Sequence, residues 1–484
     1  MKPFNKRASV FGFVSDLSVY GGGMILARFL GLAITPILTR LFSPADYGQI
    51  DVLQSGASIV IAVISMSMES GLMRFFNDLD CQEQKSLLYT HLLVVLSLGA
   101  AIVVLLLPFS DIIASMFFGK KELGVAVSVT YGVIFSSFVY QHVITVLRTI
   151  RAPRLAVLFS LATAVAQFVC VLVFVLEMKY GLVGVLGGRF LAEIVMSLLV
   201  LAVIRHQYSG RFSVFWLKKL IRFGAPLMPE TLFGIVIGYF GKFFLMSSHG
   251  VASMGMFVVG QKVSLLIVMI SGAMKSAWLP YAFSISSQAE SKEIFAHIFS
   301  VYLKIMAIFV VGLAIFAHEI TALIAPSGYS AAALIGVLLG FAASLQGGVY
   351  IVNVGLLLAE KTRYYLLASL GCALVTVATG FMLIPRLGLV GSAVVQVIAQ
   401  LFMIVTVYNL SQKFHKINYK PLHLFVYVFG VSAIVVMLTY FPFLSSLPMR
   451  LALGGALAVG SWFAMRKEVM MFAPRFLSLR KGAS

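Results

Sequence analysis

The chain has 484 residues, of which 61% are hydrophobic and only 11% are charged. Soluble globular proteins carry roughly 25% charged residues, so a single water-soluble core is excluded and lipid must be the main solvent. A formal net charge of +19 would suit a nucleic-acid-binding protein, but the Lys and Arg residues are sorted by side of the membrane, which argues against that class.

Long apolar runs predict 14 transmembrane helices, because about 20 apolar residues cross a bilayer as one helix. The first run continues without a small-residue cleavage site, so it predicts an uncleaved helix rather than a signal peptide. The expected fold class is all-α, a polytopic membrane protein. The predicted spans are residues 17–39, 50–70, 88–109, 123–147, 154–176, 182–204, 223–247, 253–276, 297–317, 330–352, 364–384, 388–410, 422–443 and 447–465.

Lys and Arg residues lie mostly on one side of the predicted membrane. Of the 36 in the chain, 25 fall at the termini and in alternate loops, six fall in the opposite loops, and five lie within predicted helices. Cationic loops stay in the cytoplasm, so both termini are predicted to be cytoplasmic. Most of the positive charge is explained by topology, and nucleic acid is not an expected partner.

A short repeat indicates two related halves. The sequence GLVG at residues 181–184 recurs at 388–391, an offset of 207 residues. Six predicted helices separate the copies, and an even number preserves orientation. We therefore expect two parallel six-helix lobes, related by a pseudo-two-fold axis along the membrane normal, with a substrate site between them. The predicted divisions are an N-lobe at 1–204, a cytoplasmic amphipathic connection at 205–222, a C-lobe at 223–410, and two extra helices with a basic cytoplasmic tail at 411–484.

Motifs for catalysis are absent from the sequence. It contains no phosphate-binding GxxxxGK[ST] loop, no HExxH spacing and no soluble segment long enough for a catalytic domain. Cys81, Cys170 and Cys372 are far apart and form no CxxC, so neither a disulfide framework nor a zinc site is predicted. We expect a protein that is not an enzyme, without catalytic residues, cofactor or metal.

Two cations lie near the middle of predicted helices, where an unpaired charge costs at least about 2.5 to 3.5 kcal/mol. Arg28 is on the first helix and Lys262 on the eighth. We expect both to line a shared, cationic central cavity that binds substrate. The alternative is an ion pair within each lobe, for Arg28 with Glu69 or Glu193.

Three further cations have less central positions. Arg189 and Glu193 are four residues apart on the sixth helix, so they share a face and are expected to pair with each other. A place for Arg189 in the cavity is the alternative. Lys242 lies near the outer end of the seventh helix and Lys304 near the inner end of the ninth. Each either lines the cavity or snorkels to the nearest interface.

Three carboxylates within predicted helices are candidates for coupling transport to an ion gradient: Glu69, Glu193 and Glu230. Glu230 is the first choice, because Pro226 and Pro229 should loosen the helix beside it and half-broken helices form ion sites in transporters. It could equally cap the loosened backbone.

The connection between the predicted lobes mixes aromatic and basic residues. Residues 208–223 place Phe212, Phe215 and Trp216 among four Lys and Arg residues. This pattern is typical of an interfacial helix lying on anionic lipid. A flexible basic linker is the alternative.

Several motifs resemble those of a known transporter superfamily. They are PILTRLFSPADYG at 36–48, GLMR at 71–74, FGAPLMP at 223–229, GLLLAEKTR at 355–363 and IPRLGLVG at 384–391. Over about residues 14 to 410 the chain resembles the O-antigen and polysaccharide-repeat flippases of the multidrug/oligosaccharidyl-lipid/polysaccharide exporter superfamily. It departs from many of them at Gly241-Lys242, where they carry an acidic-basic pair, so no role of that acid carries over.

The resemblance implies translocation of undecaprenyl-diphosphate-linked oligosaccharide repeats from the cytoplasmic to the outer leaflet of the bacterial cytoplasmic membrane. It implies alternating access, driven by an ion gradient or the membrane potential. The diphosphate is anionic, which suits cations at membrane depth. Besides membrane lipids, a polysaccharide polymerase and a chain-length regulator are implied partners. The alternatives are a multidrug or cation antiporter, which would favour an acidic cavity, and a non-transporting partner in a polysaccharide assembly complex.

Overall fold

The computed structural model describes residues 26, 29–286, 288, 290–419, 421–440, 448–449, 452 and 455. Across these residues the chain forms helices and turns without a β-strand, so the predicted all-α class is confirmed. Ten of the described helical segments are long and apolar enough to cross a membrane, and shorter apolar helices accompany them. The helix predicted at 447–465 lies for the most part outside the described residues.

The described helices follow the predicted order. The first nine are α1 (Phe29–Leu41), α2 (Pro44–Ile64), α3 (Met68–Phe76), α4 (Cys81–Leu106), α5 (Ser110–Phe118), α6 (Gly124–Thr149), α7 (Pro153–Leu172), α8 (Gly181–Val203) and α9 (Val214–Gly224). The next eight are α10 (Met228–His249), α11 (Val251–Val263), α12 (Leu265–Ile285), α13 (Ser291–Ile324), α14 (Ala332–Val352), α15 (Val354–Leu358), α16 (Thr362–Phe414) and α17 (Pro421–Tyr440).

The chain divides into two compact units. Unit 1 comprises Met1–Tyr239 with Gly250–Gly255, and unit 2 comprises Phe240–His249 with Met256–Ser484. In unit 1, the central helix α6 packs against α2, α4 and α8. In unit 2, α14 packs in the same way against α12, α13 and α16. The division of the chain at residues 204, 222 and 410 stays a prediction.

The internal repeat is visible in the backbone. α8 begins at Gly181, whose φ is 55°, and Gly388, 207 residues later, has a φ of 53°. Gly388 interrupts α16, which therefore consists of two helices that meet there, as predicted. α2 and α11 begin at Pro44 and Val251, which are also 207 residues apart. The sequence repeat thus corresponds to a structural one.

The second predicted helix is displaced. α2 begins at Pro44 because Ser43 and Asp46 form a reciprocal capping box and proline suits the first helical position. It ends at Ile64, and Ser67 has a left-handed φ of 52°. Glu69 therefore lies on the separate short helix α3, and its predicted place in a membrane-spanning helix is wrong.

Other bounds differ less. The ninth predicted helix, α13, has 34 residues and begins before the predicted position 297. The eighth is formed by α11 and α12, which a turn at Ser264 separates. The connection contains α9, whose first turn is capped by Ser213, so the flexible-linker alternative is wrong. Trp216 is buried whereas Phe215 is 63% exposed, which is the amphipathic arrangement expected; its contact with lipid stays a prediction.

We expect Gly48→Ala to destabilise the protein. A methyl group at Gly48 on α2 would overlap the carbonyl oxygen of Val251, whereas one at Gly56 on the same helix would meet no atom within 4 Å. Overpacking of this kind costs roughly 1 to 3 kcal/mol. The midpoint of thermal unfolding in detergent should fall for Gly48→Ala and stay unchanged or rise for Gly56→Ala. Equal midpoints would contradict the prediction.

Candidate functional site: charged groups in the membrane-spanning helices

An ion pair lies inside unit 1. On α8, Arg189 Nε is 2.8 Å from Glu193 Oε1, so the predicted pairing is confirmed. The hydroxyls of Ser136 and Ser137 on α6 donate to Glu193 Oε2 at 2.9 and 2.5 Å. Arg189 also donates to Ser137 Oγ at 3.1 Å. Both carboxylate oxygens therefore have charged or hydroxyl donors, which is what a buried charge requires.

The equivalent positions of unit 2 carry no ion pair. The residues 207 positions after Arg189 and Glu193 are Gln396 and Gln400, and Ala343 stands opposite Ser136 in the repeat. Because unit 2 builds the same helix arrangement with uncharged amides, helix packing alone does not call for the charges of unit 1. Their presence in one unit indicates either a specific role or a dispensable salt bridge.

Three of the predicted cavity cations lie in unit 2. Lys242 on α10 is only 4% exposed, and the carbonyl of the preceding Gly241 accepts a hydrogen bond from Ser392 Oγ at 3.1 Å. The Lys242 side chain is enclosed by protein, so its predicted snorkelling to the interface is wrong. Lys304 is half-buried and lies about 20 Å along α13 from its first residue. It is therefore central, and its predicted position near a helix end is wrong.

Lys262 lies at the end of α11, one residue before the turn that precedes α12. Gly260 and Val263 on the same helix contact Ile335 and Gly336 of α14. At 100° per residue, Lys262 lies on the opposite side of α11 from that contact. The half-buried Lys262 side chain thus leaves α11 on the face that does not pack on α14. Arg28, the other predicted central cation, lies outside the described residues.

Two predicted coupling carboxylates lie at helix starts. Glu230 is exposed in the first turn of α10, after a 3-10 turn at Ala225–Leu227. There the helix dipole favours a carboxylate, which supports its capping alternative. Glu69 on α3 has a buried Oε1 without a hydrogen-bond partner in the described part of the chain. Burial raises the pKa of its carboxyl, an effect that the nearby Arg148 guanidinium opposes.

Two sets of groups escaped the sequence reasoning. Asp51 lies about 10 Å into α2 and accepts a hydrogen bond from Ser55 Oγ at 3.1 Å; it was missed because the helix start was placed at residue 50. The capping box at Ser43 was the signal that could have found it. His91 and His142 form a buried hydrogen-bonded pair, and nothing in their spacing announces it.

The family of the chain follows from a family model described as "Polysaccharide biosynthesis protein", which matches residues 37–334, more than half of the chain. A comparison with curated protein sequences finds no match.

Solved structures show the same fold. The lipid II flippase MurJ in an inward closed conformation has a TM-score of 0.71 at 14% identity, covering 93% of this chain and 99% of that one. An inward-facing multidrug resistance MATE family transporter of the MOP superfamily has a TM-score of 0.65 at 16% identity, covering 86% and 95%. A MOP superfamily transporter from Pyrococcus furiosus, described by a binding pocket of reverse polarity, has a TM-score of 0.58 at 17% identity, covering 87% and 96%.

These three structures are flippases and transporters rather than enzymes, and their low identity to this chain carries the fold alone. The predicted superfamily resemblance is confirmed at that level. The chain is thus a multi-pass membrane protein that belongs to the polysaccharide biosynthesis protein family and has the MOP superfamily fold.

Proposed function

We propose that the protein is a flippase for undecaprenyl-diphosphate-linked oligosaccharide repeats, moving them from the cytoplasmic to the outer leaflet of the bacterial cytoplasmic membrane by alternating access. The family supports a role in polysaccharide biosynthesis. The fold is similar to that of a lipid II flippase. Membrane lipids, a polysaccharide polymerase and a chain-length regulator belong to the proposal as partners.

The observation that carries the proposal is the sign of the charges at membrane depth. Lys262 and Lys304 lie well inside the apolar helices α11 and α13 and remain partly exposed. Each such charge costs at least about 2.5 to 3.5 kcal/mol at a helix centre. An anionic diphosphate headgroup would give these cations a function, and they would lower the cost of its passage through the membrane.

The acidic groups support an anionic rather than a cationic substrate. Glu193 is occupied by Arg189 and two serines. Asp51 on α2 is the other carboxylate singled out at depth, and it is half-buried. Asp51 and the similarity to multidrug transporters favour a cation antiporter as the second candidate. The reverse pocket polarity described for the Pyrococcus furiosus transporter illustrates that one fold carries sites of either sign.

Energy for transport belongs to the proposal as well. Moving one charge across the membrane is worth about 2.3 kcal/mol per 100 mV, so either an ion gradient or the charge of the substrate can drive the cycle. Glu230, Glu193 and Glu69 remain the candidate coupling carboxylates. Because Glu193 is already paired with Arg189, Glu230 and Glu69 are the more accessible of the three.

Reconstitution tests the function directly. Purified protein in sealed vesicles would receive a fluorescent undecaprenyl-diphosphate oligosaccharide, and its arrival in the opposite leaflet would be measured by access of a membrane-impermeant quencher. We expect protein-dependent movement without added nucleotide. Export of a cationic dye in place of the sugar lipid would support the antiporter. Movement of neither compound, with folded protein, would support a non-transporting assembly partner.

A further inference from the structure

Two buried histidines and a tyrosine form a continuous hydrogen-bonded chain in unit 1. His91 on α4 and His142 on α6 are both 0% exposed, and their Nδ1 atoms are 2.7 Å apart. His142 Nε2 lies 3.0 Å from the hydroxyl of Tyr208 in the connection. His91 Nε2, at the other end, is buried without a partner. The chain therefore runs from the connection to an open nitrogen inside the helix bundle.

The geometry fixes how many protons the pair can hold. At 2.7 Å, two Nδ1 atoms must share one hydrogen, because two N–H groups would collide and two lone pairs would repel. In the neutral state one ring donates and the other accepts. One added proton makes an imidazolium–imidazole pair and keeps a single hydrogen between the rings, as a charge-assisted bond. A second added proton would break the contact.

The pair lacks a charged partner. Within the described part of the chain, its hydrogen-bond partners are the two rings themselves and Tyr208. On the neighbouring helix α8, Glu193 bonds to Arg189, and on α3, Glu69 lies near Arg148. The other charged groups on the elements packed around the pair are Lys85 on α4, Arg74 and Asp78 on α3, Lys218, Lys219 and Arg222 on α9, and Arg205 and Arg211 in the connection.

We propose that His91, His142 and Tyr208 form a binding site for one proton, which enters through Tyr208 and is held between the two imidazoles. Starting with His142 protonated at Nδ1, water gives a proton to the Tyr208 oxygen, and Tyr208 passes its own to His142 Nε2. His142 then passes its Nδ1 proton to His91 Nδ1. One proton has entered, no bond between heavy atoms has changed, and the charge resides on a His91 imidazolium.

The surroundings of Tyr208 suit this entry. Burial raises the pKa of its hydroxyl, so Tyr208 stays a neutral phenol that can both donate and accept. The connection around it is tied to α4, because Ser86 Oγ donates to the Arg211 carbonyl at 2.6 Å and the Ser213 amide donates to Thr90 Oγ1 at 3.0 Å. The phenol is thereby held at the edge of the helix bundle, next to the exposed residues Arg205 and His206.

Proton binding at this site would bias the conformation of the protein. An imidazolium enclosed by α4 and α6 has no counter-ion here, so a state that admits water between these helices would bind the proton more strongly. A ligand shifts an equilibrium by its differential affinity for the two states. Resting on the proposed function, we assign to this pair, rather than to Glu230, the coupling of transport to a proton gradient.

Nitrogen NMR of histidine-labelled protein in nanodiscs tests proton binding without any substrate. As the pH falls through the range in which imidazoles titrate, roughly 8 to 5, we expect uptake of one proton that is shared by two of the eight histidines. His91→Asn should abolish the shared signal, because Asn can still bond to His142 Nδ1 but does not titrate. His206→Gln, at an exposed position of the same connection, should leave it intact. Two rings that stay neutral throughout, or a shared signal that survives His91→Asn, would overturn the proposal.

Transport assays give the second readout. In vesicles with an imposed proton gradient, His91→Asn should lose the stimulation by the gradient while still moving the sugar lipid down its own gradient. Tyr208→Phe should slow the response to a pH jump. If His91→Asn keeps the stimulation, the coupling assignment is wrong. If the unmodified protein moves no sugar lipid, the proposed flippase function fails, and the NMR titration still decides the proton site.

Discussion

Replacing Lys262 with Ala should slow transport of the lipid-linked oligosaccharide by roughly tenfold to a hundredfold while the protein remains folded. The Lys262 side chain points away from the α11–α14 contact formed by Gly260 and Val263, so its removal leaves that packing intact. A hydrogen bond to a charged group contributes about 1.5 to 3 kcal/mol, and each 1.4 kcal/mol corresponds to about a tenfold change in rate. The sequence predicts the same loss for Arg28→Ala.

Controls separate charge from bulk at this position. Lys262→Arg should retain most of the activity, because it keeps the charge, and Lys292→Ala should have no effect because Lys292 is exposed at the start of α13. Initial rates in reconstituted vesicles and elution profiles of the purified variants would be compared. Full transport by Lys262→Ala would remove the main support for a cationic substrate path.

The helical architecture could be predicted from sequence because each apolar run is a local signal. The repeat of GLVG at Gly181 and Gly388 identified both the offset and the position where α16 breaks. Boundaries were less predictable. Hydropathy placed the start of the second helix at residue 50, since Asp46 and Asp51 lower the apolar character of its first two turns, whereas the capping box at Ser43 sets the start at Pro44.

The charged groups divide by how local their interactions are. The Arg189–Glu193 pair was predictable because its members are one helical turn apart. Its serine partners belong to another helix, and the His91–His142 hydrogen bond joins residues 51 positions apart. Such contacts depend on the rotation of packed helices about their axes, which an almost uniformly apolar sequence specifies weakly. The same weakness put Lys242 at an interface that the enclosed side chain does not reach.

Glu193→Gln should destabilise the protein strongly. The substitution leaves Arg189 without its carboxylate in a side-chain environment that is only 21% exposed. Removing one partner of a buried ion pair costs about 3 to 5 kcal/mol, because the remaining charge is uncompensated. Arg189→Gln should be similarly harmful, since it leaves Glu193 with only the two serine hydroxyls. A drop in the midpoint of thermal unfolding, followed by fluorescence-detected size exclusion, would show both effects.

The double variant Arg189→Gln with Glu193→Gln should recover most of the lost stability, since unit 2 carries Gln396 and Gln400 at the equivalent positions. A double variant no more stable than either single one would contradict the ion-pair explanation. The recovered protein then separates the alternatives for this site. Normal transport would make the pair structural, whereas a stable double variant that no longer transports would assign Arg189 to the substrate path or Glu193 to coupling. Measuring the gradient dependence of its remaining transport distinguishes these two roles, because only the loss of Glu193 as a coupling group would abolish that dependence selectively.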